Sequence, residues 1–190
     1  MLLKLPNLLT ISRIIVIPLL LAAFYLPGNL SSWVPLGLFI AAGITDFFDG
    51  YLARRNSQTS NLGKFLDPVA DKILVSAVLL FLVAVDRISD WSLIPAVIIL
   101  CREIMVSGLR EFLAELRVGM PVSKLAKWKT ASQILALCFL LGGPAAQPEF
   151  DAKLVGDILL WIAGSLTVWT GYDYLTLGLK HMLEEDETPK

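Results

Sequence analysis

Asp46-Phe-Phe-Asp49-Gly50-Tyr-Leu-Ala53-Arg54, followed after eight residues by Gly63-Lys-Phe-Leu-Asp67-Pro-Val-Ala-Asp71, sets four aspartates among long apolar runs. The chain around this stretch has 190 residues, 56% of them hydrophobic and 17% charged, with mean hydropathy +0.69. A soluble domain carries about 25% charged residues. Here the charges gather between apolar runs at about 8–26, 33–53, 66–85, 92–116, 130–147 and 154–178. Each run is near the roughly 20 residues that cross a bilayer as a helix, and each is bounded by Gly, Pro or charge. The expectation is an all-α integral membrane protein of six transmembrane helices. One membrane-embedded catalytic domain then occupies residues 1–190, with a cytoplasmic tail at 181–190 and no room for a soluble domain.

Composition excludes disorder, coiled coil and a disulfide scaffold. A net charge of −1 gives no basis for a nucleic-acid partner. Cys101 and Cys138 lie inside apolar stretches and His181 is the single histidine, so zinc sites and His-dependent triads are excluded as well. The first run is not a signal peptide: Asn7, Thr10 and Arg13 interrupt its start, and no small-residue cleavage site follows. The preceding segment, Met1 to Pro6, is short and amphipathic and would lie along the interface. Numbering the loops alternately, one side collects Lys4, Arg54, Arg55, Lys64, Arg117, Lys124, Lys127, Lys129, Lys180 and Lys190, and the other only Arg87 and Lys153. Both termini are therefore expected in the cytoplasm. Trp33, Trp91 and Trp128 fall near span ends, as interfacial anchors do.

The aspartates stand at the cytoplasmic ends of the second and third spans. At about 100° per residue, Asp46, Asp49, Gly50 and Ala53 share one helix face, and Asp67 and Asp71 lie one turn apart on the next helix. A short connection makes these helices antiparallel neighbours, so the four carboxylates can converge. Left unpaired in an apolar setting they would cost several kcal/mol each. Protonation or a bound cation resolves that cost. Oxygen donors without His or Cys suit Mg²⁺, Mn²⁺ or Ca²⁺, and two ions would suit phosphoryl chemistry. Gly50 and Ala53 remove side-chain bulk beside the acids, and Arg54 offers a fork that fits phosphate. Taken singly, each of these residues also reads as an interfacial cap or a helix-packing residue.

At these residues the sequence resembles the CDP-alcohol phosphotransferases, whose signature D-x2-D-G-x2-A-R-x8-G-x3-D-x3-D is present at every fixed position from Asp46 to Asp71. Within that family it is most similar to the bacterial phosphatidylglycerophosphate synthases. The stretches Pro6 to Arg13, Gly63 to Lys72, Arg102 to Glu111 and Lys127-Trp-Lys129-Thr130 carry the likeness, with Ala126 a mild departure. The resemblance implies the family fold and a transferase of phospholipid biosynthesis in the bacterial inner membrane. There the 1-hydroxyl of sn-glycerol 3-phosphate attacks CDP-diacylglycerol, giving phosphatidylglycerol phosphate and CMP. It implies Asp46, Asp49 and Asp67 as ligands of two Mg²⁺ or Mn²⁺ ions, and Asp71 as general base that also touches a metal. Gly50, Ala53 and Arg54, with Ser60, Asn7 and Thr10 as weaker contacts, would bind CDP-diacylglycerol. A homodimer is the assembly the family suggests.

For the acceptor, Arg110, Lys127 and Lys129 are candidate phosphate clamps. Glu103 and Arg110 lie about 20° apart around one helix, so a buried ion pair between them is the structural alternative, and Arg102, deeper in the span, is read as structural. Cardiolipin, phosphatidylserine and inositol-phosphate synthases would share the aspartates and differ in the acceptor pocket. A prenyltransferase would lack the interleaved Gly50, Ala53 and Arg54. A cation transporter would place its acids near the midplane and show inverted repeats, which this chain lacks.

Overall fold

The structure, a computed structural model, describes residues 5–56, 61–115, 118, 124–146 and 150–186; the side chains of 5–10, 47–56, 61–65, 67, 115, 124, 177 and 180–186 lie outside that description. Six long helices follow one another: α1 (Leu5–Ala23), α2 (Leu30–Asn56), α3 (Asn61–Ala84), α4 (Leu93–Glu115), α5 (Lys124–Ala146) and α6 (Ala152–Asp186). A single 3-10 turn, Asp90–Ser92, leads into α4, and no strand occurs among the described residues. Each helix falls on one of the expected apolar runs; α2 and α6 extend beyond theirs at both ends, α1, α3 and α5 start earlier, and α1 stops at Ala23, three residues short of its run. Two expectations change. Leu5 and Pro6 belong to α1, where a first-turn proline is tolerated because its missing N–H has no partner there. The tail expected from residue 181 continues as helix to Asp186.

Two stretches among the described residues are long and apolar enough to cross a bilayer, Asp90–Ala114 and Ala152–Thr176, and Ile11–Ala23 and Leu30–Asp46 are shorter apolar ones. Only 28% and 39% of the two long windows is buried, whereas the core helix of a water-soluble protein would be mostly covered. Ile15, Leu19, Ile44, Val97 and Ile158 are each about half exposed or more. Apolar surface on this scale belongs against lipid rather than water.

The chain divides into two compact units, Met1–Ile88 with Leu137–Gly156, and Ser89–Ala136 with Asp157–Lys190. In the first, α1 packs against both α2 and α3. Leu20, Phe39, Leu74, Val78 and Leu82 form its core. Arg87, in the connection after α3, donates to Leu141 O at 2.5 Å, Ser31 O at 3.2 Å and Ser32 Oγ at 3.0 Å, and lies 5.1 Å from the Phe24 ring centroid. One guanidinium thus ties the start of α2 to α5, and burial pulls its pKa below the usual arginine value.

In the second unit, α6 approaches α4 through glycines spaced seven apart. A Cβ on Gly164 would stand 2.7 Å from Pro95 Cβ, one on Gly171 3.3 Å from Arg102 Cγ, and one on Gly178 2.6 Å from Leu109 Cδ1. The partners on α4 are also seven apart and ascend in the same order, so α4 and α6 run parallel. Small residues of this kind let helix backbones approach where lipid supplies no hydrophobic drive. Because the Pro95 ring cannot yield, Gly164→Ala should lower stability by about 1–3 kcal/mol. Gly37→Ala on α2, where a Cβ meets nothing within 4 Å, should be neutral or stabilising. Thermal unfolding of both variants in detergent measures the difference.

Candidate active site

Arg13 sits on the third turn of α1, inside an otherwise apolar segment. Its side chain is 1% exposed, whereas those of Asp46 and Asp71 are 44% and 60% exposed. The Arg13 Nη1 atom lies 2.8 Å from Asp46 Oδ1 and 4.0 Å from Asp71 Oδ1. One buried cation therefore stands behind two carboxylates, one from α2 and one from α3, that keep open surface in front of it. A buried guanidinium without counter-charge costs several kcal/mol, and this pairing offsets that cost with charge-assisted contact. The convergence expected of α2 and α3 alone thus involves three helices. The neighbouring Thr45 is spent on its own helix, donating to Ala41 O at 2.8 Å and Ala42 O at 2.9 Å.

The remaining motif residues are placed by their backbone. Unbroken helix through Asn56 carries Asp49, Gly50, Ala53 and Arg54 on the turns after Asp46, and α3 carries Asp67 one turn before Asp71. Asn7 and Thr10 lie on the first turns of α1. The side chains of these residues, and Ser60 altogether, lie outside the described residues. Arg13 was not singled out by the motif. The signal that finds it is a charge inside an apolar run, which needs a counter-ion.

The acceptor candidates belong to the second unit. Glu103 on α4 accepts from the buried Lys129 ammonium and lies 3.4 Å from Arg102 Nη1. Arg102 also reaches Thr170 Oγ1 at 3.4 Å and lies 5.5 Å from the Tyr174 ring centroid. In place of the Glu103–Arg110 ion pair that was the structural alternative for these residues, Glu103 joins this Lys129–Glu103–Arg102 cluster. Arg110 and Lys127 are exposed, while Lys129 is 4% exposed and committed to Glu103. Lys129 reaches a phosphate only by giving up that partner.

The described donors are the carboxylate oxygens of Asp46 and Asp71, both with open surface, and no group of three or more acidic, histidine or cysteine ligands forms among the described residues. Such a set fits a hard divalent cation.

The family profile described as CDP-alcohol phosphatidyltransferase matches residues 3–169. A relative in Rickettsia felis is 48% identical over 171 residues, covering 90% of this chain and 93% of its own length. Relatives in Haemophilus influenzae and Shigella flexneri are 43% and 41% identical over 183 and 184 residues, covering 95% and 96% of this chain and 96% and 98% of their own. All three carry the name CDP-diacylglycerol–glycerol-3-phosphate 3-phosphatidyltransferase.

The charge cluster of the second unit makes its own prediction. Glu103→Gln leaves Lys129 and Arg102 short of their carboxylate, at a cost of about 3–5 kcal/mol for a broken buried pair. Glu111→Gln, at an exposed position, should change stability by less than about 0.5 kcal/mol. Thermal melts of the two variants in one detergent make the comparison.

Proposed function

The chain belongs to the CDP-alcohol phosphatidyltransferase family, and we propose that it transfers the phosphatidyl group of CDP-diacylglycerol to sn-glycerol 3-phosphate in phospholipid biosynthesis. The observation that carries the chemistry is the pair of open carboxylates, Asp46 and Asp71, gathered on one buried guanidinium. Identity above 40% along nearly whole chains to relatives named for this reaction supports the choice of acceptor.

In this reading Asp46, Asp49 and Asp67, with Asp71 beside them, hold one or two Mg²⁺ or Mn²⁺ ions. When bound, these ions neutralise the diphosphate and the departing CMP. Asp71, the more exposed of the two described carboxylates, takes the proton of the attacking 1-hydroxyl. That oxygen bonds to the lipid-side phosphorus as the bond to the CMP phosphate breaks. Gly50 and Ala53 leave room for the cytidine, Arg54 meets the diphosphate, and Asn7, Thr10 and Ser60 add nucleotide contacts. Arg110 and Lys127, exposed in the second unit, take the acceptor phosphate, and Lys129 joins them only if Glu103 releases it. We read the chain as one six-span domain in the bacterial inner membrane, acting as a homodimer with its termini and active site facing the cytoplasm. The single family profile running through both units and the exposed apolar helix faces support this reading.

Offered glycerol 3-phosphate, serine and inositol phosphate in parallel, the purified protein should release CMP from CDP-diacylglycerol with the first. EDTA should abolish turnover and Mg²⁺ restore it. Turnover with another acceptor would reassign the substrate, and full turnover in EDTA would remove the metal. Losing one charge-assisted phosphate contact costs about 1.5–3 kcal/mol, so Arg110→Ala should raise the KM for glycerol 3-phosphate tenfold or more. The KM for CDP-diacylglycerol should hold, and equal effects on both substrates would return Arg110 to a structural role.

A further inference from the structure

Arg13 lies outside the aspartate motif, and the transfer reaction by itself gives it no task. It is sealed from solvent, so no phosphate or lipid head group reaches it, which separates it from the exposed Arg110. It stands on the helix that packs against both α2 and α3, and its guanidinium touches Asp46 and lies within ion-pair range of Asp71. We infer that Arg13 is a positioning residue: an internal cation that holds Asp46 and Asp71 together in the metal-free protein and leaves their outer surfaces free for the incoming ion. The inference rests on the proposed roles of these two aspartates and adds a residue to them.

Two physical effects oppose each other here. As a positive charge, Arg13 repels a divalent ion. As an anchor, it spares the ion the work of drawing two like-charged carboxylates from two helices into place. The carboxylates are about half exposed, so water screens the repulsion. Mg²⁺ tolerates little departure from octahedral geometry, so misplaced ligands are penalised without such relief. Anchoring should therefore win, and loss of Arg13 should weaken metal binding. A lysine keeps the charge but presents one point donor in place of a planar fork, and should rescue only part of the effect.

The test is Mn²⁺ titration by electron paramagnetic resonance on purified wild type, Arg13→Met and Arg13→Lys, with the Mg²⁺ dependence of turnover measured alongside. Loss of a residue that orients metal ligands typically costs ~10–100-fold in metal affinity, and that range is expected for Arg13→Met, with Arg13→Lys between it and wild type. The Mg²⁺ concentration for half-maximal turnover should rise in step, while the KM for CDP-diacylglycerol at saturating Mg²⁺ holds. A purely structural role would lower the amount of active protein and leave half-saturation where it was. Unchanged or tighter Mn²⁺ binding by folded Arg13→Met overturns the inference while the metal reading stands. If Arg13→Met does not fold, wild-type affinity in Arg13→Lys overturns it equally. A wild type that binds no Mn²⁺ overturns the metal reading, and the inference with it.

Discussion

A guanidinium on the third turn of an apolar helix has to meet anions, because neither lipid nor hydrocarbon side chains solvate it. Arg13 meets them on two neighbouring helices, and the first unit is organised around that meeting. α1 supplies the cation, α2 and α3 supply one carboxylate each, and the apolar residues between them close the core behind the charges. The acids in turn depend on the arginine. Two carboxylates brought together without a cation would repel. Arg13 lets them stand beside each other before any ligand arrives.

The second unit solves a related problem with the opposite outcome. Glu103 is enclosed by Lys129 and Arg102, and Arg102 lies along α6 where Gly171 leaves space beside its side chain. Here the charges are covered on both sides of the pair; in the first unit the cation is covered and the anions are not. Exposure, more than charge itself, separates a cluster that joins helices from one that can take a ligand. The glycines that bring α6 against α4 belong to the same economy of structure, since close backbone packing replaces the hydrophobic drive that lipid does not provide.

The apolar runs foretell all six helices, and of the four motif acids the two with described side chains, Asp46 and Asp71, come to one guanidinium. Hydropathy stops short at the helix ends because residues such as Arg54, Arg55, Lys180 and Glu184 are polar yet good helix formers. Arg13 was visible as a charge inside an apolar run, but its partners were not: a pattern along one helix does not say which other helices pack against it. The pairing of Glu103 with Arg110 failed on distance. Seven residues bring two side chains to nearly the same angle but about 10.5 Å apart along the axis, too far for an ion pair. The partners came instead from the adjacent residue and from α5.

Close in sequence to the Arg13–Asp46 pair, α1 and α2 carry the exposed apolar residues Ile15 and Ile44. Along the same helices Ile15, Leu19, Ile40 and Ile44 are exposed, an apolar surface on which acyl chains can rest with no further cavity. On the proposed reading, a lipid diphosphate held at the aspartates keeps its tails along these residues while the water-soluble acceptor approaches from the open side of Asp71. The two substrates differ in solubility, and on this reading both reach one pair of carboxylates, the lipid along the exposed apolar residues and the acceptor from water. A lid or a separate soluble domain would add nothing to that encounter, and a cation buried beneath the acids occupies none of the surface the substrates need.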